Sequence, residues 1–237
     1  YFSMRHIEMY RITHVIVSGV YVFVLAALVM IQREIGSVLI LVSIWLGIMV
    51  LAGIKIKHLF FLGLAGLLVF LVSWNLIFQE YQKERLISFL NPEADPQGTG
   101  YNARQSVIAI GSGGVWGVGL GQGTQTQLGF LPEPQTDFIY AAIVEEMGLA
   151  GAILLLACFI FLFRRVTKLI GISTNNFARL VGAGFLVMLL SQVFINMGMT
   201  LGILPVTGIP LPFVSYGGSS LISLFAMLGI LQSVKIN

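Results

Sequence analysis

Six apolar runs of membrane-crossing length restrict this chain more than any other feature. A span needs about 20 mainly apolar residues, and such runs lie at roughly 13–31, 36–54, 58–78, 138–163, 178–201 and 214–234. Apolar residues make up 57% of the chain and charged residues only 10%. A soluble domain would carry about 25% charge. In lipid each backbone polar group must be satisfied internally, so the runs predict an all-α, polytopic transmembrane helix bundle. The whole of 1–237 reads as one integral membrane domain.

The links carry the remaining information. Gln32-Arg33-Glu34, Lys55-Ile56-Lys57 and the basic 164–177 segment read as short links, the first of them a tight turn at Arg33-Glu34. The link at 202–213 is rich in Pro and Gly. The connection 79–137 is long, and a structureless link of that length is uncommon unless it is functional. Within it, 101–111 predicts a short or re-entrant helix, and the glycine-rich 111–123 predicts turns with close backbone approach.

Positive charge sets orientation. With the N-terminus inside, nine basic residues are cytoplasmic (Arg5, Arg11, Lys55, Lys57, Arg164, Arg165, Lys168, Arg179 and Lys235) against four outside (Arg33, Lys83, Arg85 and Arg104). Loops 79–137 and 202–213 then face the exterior together, and the C-terminus is cytoplasmic. The basic residues are accounted for by topology, so the net charge of +3 gives no argument for nucleic acid.

Asp137 is one of only two aspartates, the other being Asp95. It stands at the threshold of the fourth run, after Leu131-Pro132-Glu133-Pro134-Gln135-Thr136. An ionisable group there is costly and seldom idle. Its plainest role is helix capping, by Thr136 or Asp137 in the first turn. Glu145 and Glu146 lie about two turns deeper, Glu145 about 12 Å along the axis. Glycosidase carboxyl pairs sit roughly 5–9.5 Å apart, so Asp137 and Glu145 are not such a pair. The two glutamates read as structural or supporting groups that bond neighbouring spans or a cation.

Arg85, in Lys83-Glu84-Arg85, has a guanidinium suited to gripping an anion such as phosphate; alternatively the cluster is a solvated juxtamembrane patch. Gln105 and Ser106 face the same exterior space. Gly111-Ser112-Gly113-Gly114 lacks the Lys-Ser/Thr ending of a nucleotide loop. Single Cys158, inside an apolar run, excludes an internal disulfide and reads as a core-filling residue. No metal-ligand spacing occurs.

The ordered blocks resemble one family, the SEDS proteins (shape, elongation, division and sporulation). They are Tyr81-Gln82-Lys83-Glu84-Arg85, Phe89-Leu90-Asn91-Pro92, Gly100-Tyr101, Gln105-Ser106, 108–114, 123–127, Phe130-Leu131-Pro132-Glu133, Thr136-Asp137-Phe138-Ile139, Glu145-Glu146-Met147-Gly148 and 204–220. Blocks 108–114, 123–127 and 209–212 look like the RodA elongation branch rather than the FtsW division branch. SEDS proteins have ten spans, and these six resemble the last six. The chain opens on Tyr1, so the resemblance implies a truncated or preceding N-terminal segment. Gln32-Arg33-Glu34-Ile35-Gly36 departs from the family's Gln-Pro-Asp-Leu-Gly, which implies altered turn geometry.

The resemblance implies a peptidoglycan glycosyltransferase in the bacterial cytoplasmic (inner) membrane, polymerising lipid II at its outer face. Asp137 matches the family's essential acid and would act as catalytic base. Arg85, Gln105, Ser106, Glu133, Thr136 and Ser215 would bind substrate. The implied partners are a class B penicillin-binding protein transpeptidase and membrane lipids. The resemblance fixes no cofactor; a divalent cation, Mg or Mn, is compatible with it. A lipid II flippase and a non-catalytic scaffold for a transpeptidase are the competing readings.

Overall fold

The computed structural model describes residues 12–32, 34–76, 78–91, 95, 98–173 and 175–236. Arg5, Arg11 and Arg33, the middle residue of the Gln32-Arg33-Glu34 turn, lie outside the described residues, as do the side chain of Lys235 and Pro92. Among the described residues all regular structure is helical. The helices are α1 (Ile12–Ile31), α2 (Ile35–Leu51), α3 (Ile56–Leu76), α4 (Glu80–Leu90), α5 (Thr99–Ser112), α6 (Thr124–Gln127), α7 (Ile139–Ile172), α8 (Asn176–Thr200) and α9 (Gly218–Ile236). By length and composition α1, α3, α7 and α8 can each cross a bilayer, and α2 and α9 are shorter apolar helices. The protein is an all-α, multi-pass membrane protein.

Three boundaries differ from the sequence reading. α7 continues through Arg164, Arg165 and Lys168 to Ile172, where a basic link is expected; long basic side chains are good helix formers and snorkel at a span's end. α4 forms where no helix is expected. Its Gln, Lys, Glu, Arg and Leu residues favour helix, Glu80 sits in its first turn, and Lys83 pairs with Glu80 at 3.2 Å. α9 begins at Gly218, four residues beyond the expected start, because Leu211–Ser215 closes a turn with Phe213 at φ 63. Cys158 is exposed on α7 rather than core-filling.

The described chain divides into two compact units. One takes the residues up to Gln79, Arg165–Ser191 and those from Met227. Its helices meet through small residues. A Cβ on Gly19 would come within 3.2 Å of the Trp45 ring, and one on Gly47 within 2.6 Å of Val187. Small residues allow such close backbone approach in membranes. The Trp45 indole N–H donates to Ser18 Oγ at 3.1 Å.

The other unit, Glu80–Arg164 with Gln192–Ala226, holds the long loop and a core of Tyr140, Val144, Ala152, Phe159, Val193, Met197 and Leu211. Here α7 is broken at Gly148, whose φ is 66 and ψ −163. Residues 113–119 fill the break. Leu149 N donates to Gly114 O (3.0 Å) and Ala150 N to Val115 O (3.1 Å). The carbonyls those amides would have met in a continuous helix accept instead from the loop: Val118 N reaches Glu145 O (3.0 Å) and Gly119 N reaches Glu146 O (3.1 Å). These four groups freed by the break are thereby satisfied, as burial demands. Insertion into the i→i−4 ladder is a recognised cause of a helix kink.

Candidate active site

The entrance to α7 is a turn stiffened by Pro132 and Pro134, with Glu133 at φ 42 between them. Thr136 N and Phe138 N both donate to Glu133 O, at 3.2 and 3.3 Å. The Thr136 hydroxyl reaches Glu133 Oε2 at 3.3 Å. Three successive carbonyls of this turn are then held from elsewhere in the unit. Tyr216 N donates to Gln135 O at 2.8 Å. Ser215 Oγ donates to Thr136 O at 2.6 Å. Asn196 Nδ2 donates to Asp137 O at 2.9 Å and to Ile209 O at 2.8 Å. Ser215 Oγ also accepts from Leu211 N at 2.7 Å.

The Asp137 backbone is therefore fixed, yet its carboxylate accepts no hydrogen bond among the described residues. It is half-buried. Asp137 lies two residues ahead of α7 rather than in its first turn, and neither it nor Thr136 caps the helix. A Cβ on Gly208 would lie 3.5 Å from Asp137 Oδ2, so the loop after α8 stands beside the acid. Burial raises the Asp137 pKa above its ordinary 3.8; the Glu133 charge raises it further, and Arg85 opposes both. Arg85 forms no direct ion pair with Asp137. A carboxylate with vacant lone pairs and a raised pKa is suited to taking a proton.

The other predicted residues divide. Glu133, Thr136 and Ser215 belong to the turn at Asp137, and Arg85 reaches it by its field. Ser215 is buried, with its hydroxyl engaged at both ends. Ser106 is fully buried and donates to Thr200 O at 2.8 Å, tying α5 to α8. Gln105 is half-buried on α5.

Glu145, also fully buried, accepts from Gln125 N (2.7 Å), Thr126 N (3.1 Å) and Thr126 Oγ1 (2.6 Å). It thus caps the four-residue α6. A Cβ on Gly123 would stand 2.7 Å from Glu145 Oε2. Glu146 contributes its carbonyl to the α7 break. No cluster of three or more His, Cys, Asp or Glu gathers among the described residues. Asn196 escapes the sequence reading; its one signal is an amide placed late in an apolar run, ahead of a Pro- and Gly-rich loop.

Known proteins resemble this chain in sequence and in fold. The chain is 43% identical over 221 residues to the peptidoglycan glycosyltransferase MrdB of Escherichia coli, covering 92% of this chain and 59% of that protein. It is 39% identical over 234 residues to the stage V sporulation protein E of Bacillus subtilis, covering 98% of this chain and 63% of that protein. The chain thus spans about three fifths of the length of these curated relatives. One similar solved structure comes from work on the structural coordination of polymerization and crosslinking by a peptidoglycan synthase complex. Its TM-score is 0.76 at 30% identity, covering 92% of this chain and 60% of that one. The rod shape determining protein RodA of Thermus thermophilus shares the fold, with a TM-score of 0.64 at 24% identity over 99% of this chain and 61% of that one. A family model for FtsW, RodA and SpoVE, described as cell cycle protein, matches residues 2–237. The chain with the pinned turn at Asp137 belongs to the FtsW/RodA/SpoVE family of cell cycle proteins.

Proposed function

We propose that the protein acts as a peptidoglycan glycosyltransferase, polymerising lipid II into glycan strands at the outer face of the cytoplasmic membrane. The observation that carries this is the Asp137 carboxylate, which meets no hydrogen-bond donor among the described residues while the Gln135, Thr136 and Asp137 carbonyls are each held. A sugar hydroxyl is a poor nucleophile and needs a positioned base. The 4-hydroxyl of an acceptor GlcNAc attacks C1 of the MurNAc at the end of a growing chain. Asp137 takes the hydroxyl proton as the new C–O bond forms. The bond from C1 to the undecaprenyl pyrophosphate breaks, and its electron pair leaves with the pyrophosphate. One inverting displacement turns the α-linked donor into a β-linked product, with no covalent intermediate on the protein.

The leaving group departs as an anion and needs cations rather than an acid. Arg85 is suited to this role, since a guanidinium pairs with phosphate oxygens through a planar fork. The basic residues, weighted to the other loops, favour an exterior loop 79–137 and six spans with a cytoplasmic C-terminus. A class B penicillin-binding protein is the proposed partner, because a similar solved structure belongs to a complex that joins polymerization to crosslinking.

The test is polymerisation of lipid II by the Asp137→Asn variant. Turnover should fall about 10²–10⁴-fold, the contribution of a positioned base, with unchanged membrane accumulation. Wild-type polymerisation by this variant would remove the base. Lipid II translocation by a protein that forms no glycan would assign a flippase instead, and partner binding without either activity would assign a scaffold.

A further inference from the structure

Asn196 stands out among the buried polar groups. It is fully buried on α8, and its amide nitrogen donates twice, to Asp137 O at 2.9 Å and Ile209 O at 2.8 Å. Its Oδ1 is buried with no partner among the described residues. A buried amide with an orphaned oxygen is destabilising by itself. The residue is thus used for its two N–H groups alone. An apolar side chain of the same size makes neither bond, and a carboxylate would set an acceptor against two carbonyls.

The two bonds join two walls. One is the turn 133–138, which presents the Asp137 carboxylate. The other is the 208–209 segment, where a Cβ on Gly208 would come 3.5 Å from Asp137 Oδ2. Asn196 therefore fixes the separation between the acid's backbone and the segment beside its side chain. Ser215 holds the preceding carbonyl, Thr136 O, but does not bridge to Ile209.

We infer that Asn196 is a positioning residue for Asp137, setting the reach of its carboxylate by clamping Asp137 O to Ile209 O. The inference rests on the reading of Asp137 as base. Releasing the clamp leaves substrate contacts in place but lets the acid drift, and a misplacement of about 1 Å costs about 10²-fold in rate.

The experiment uses protein purified from membranes, with lipid II polymerisation followed across pH for Asn196→Ala, Asn196→Asp, Asn196→Gln, Asp137→Asn and the Asn196→Ala/Asp137→Asn double variant. Asn196→Ala should lose about 10²-fold in kcat with KM changed less than about threefold. Its acid limb should move down toward the ordinary aspartate range as the carboxylate meets water. Asn196→Gln, keeping both donors, should recover part of the rate. In the Asp137→Asn background the Ala substitution should cost less than about threefold more, because both changes remove one unit of function.

Parental kcat and acid limb in Asn196→Ala would overturn the inference, as would an equal loss in both backgrounds, which marks a general structural role. Should Asn196→Ala fail to accumulate, the near-isosteric Asn196→Asp carries the test, with the same loss expected and parental kcat overturning it. Wild-type turnover by Asp137→Asn would bring down the base reading itself, whereas an inactive Asp137→Asn beside a fully active Asn196→Ala removes only the positioning role.

Discussion

α3 and the first half of α7 are both apolar, yet they are stabilised in opposite ways. α3 is exposed along nearly its whole length, with Ser73 its one buried residue. Phe60, Phe61, Leu64, Leu67 and Leu68 all point outward, which suits lipid. The start of α7 buries Tyr140, Ala141, Ala142, Val144 and Glu145, with Phe138 buried just ahead of it, and it exchanges backbone hydrogen bonds with a glycine-rich loop. Hydrophobicity alone sustains the first; specific polar partners sustain the second. Substitutions tolerated in α3 should therefore fail in α7.

Glycine provides the sharpest version of that contrast. Gly148 combines a φ of 66 with a Cβ that would collide with Gly117 N and the Val115 carbonyl, whereas a Cβ on Gly66 in α3 meets nothing within 4 Å. Gly148→Val should cut membrane accumulation several-fold, the usual outcome of severe destabilisation in cells. Gly66→Val should accumulate as the parent does. Equal accumulation of the two, by immunoblot of isolated membranes, would break the comparison.

A smaller effect is expected at Glu145. Glu145→Ala removes three hydrogen bonds to α6, leaves their buried donors unpaired, and should destabilise by about 3 kcal/mol. Thermal melting in detergent measures it, and Glu145→Gln should recover part of the loss. The smallest effect belongs to α3. Exposed Leu67→Ala should stay within about 0.5 kcal/mol of the parent, and a larger loss would show that α3 has a packing role among protein groups.

How much of this was legible depends on which forces act over short range in sequence. The helical class follows from run length, because a bilayer allows little else. The short-helix reading of 101–111 matches α5, and the turns at 111–123 match the loop that enters the α7 break. Asp137 stands out in the sequence because an aspartate at an apolar threshold is conspicuous. The Gly148 break does not, since a single glycine in an apolar run gives no sign of the loop that fills it. Asn196 and the buried hydroxyls of Ser106 and Ser215 act on carbonyls 59, 94 and 79 residues away. Sequence pattern has no access to such pairings. Arg164, Arg165 and Lys168 read as a link by their charge, yet their helix propensity carries α7 on to Ile172.

The central claim is that Asp137 works as a base whose ionisation is set by its turn, and the pH dependence of lipid II polymerisation tests it most directly. A base must be ionised to take a proton, so under this claim the rate should fall on acidification with a limb above the ordinary aspartate value of 3.8. Glu133→Gln removes a neighbouring negative charge and should move that limb down. Arg85→Ala removes the opposing positive charge and should move it up, while reducing turnover about 10²-fold if Arg85 steadies the leaving pyrophosphate. An acid limb at or below the ordinary value, or one that neither substitution moves, would contradict the account.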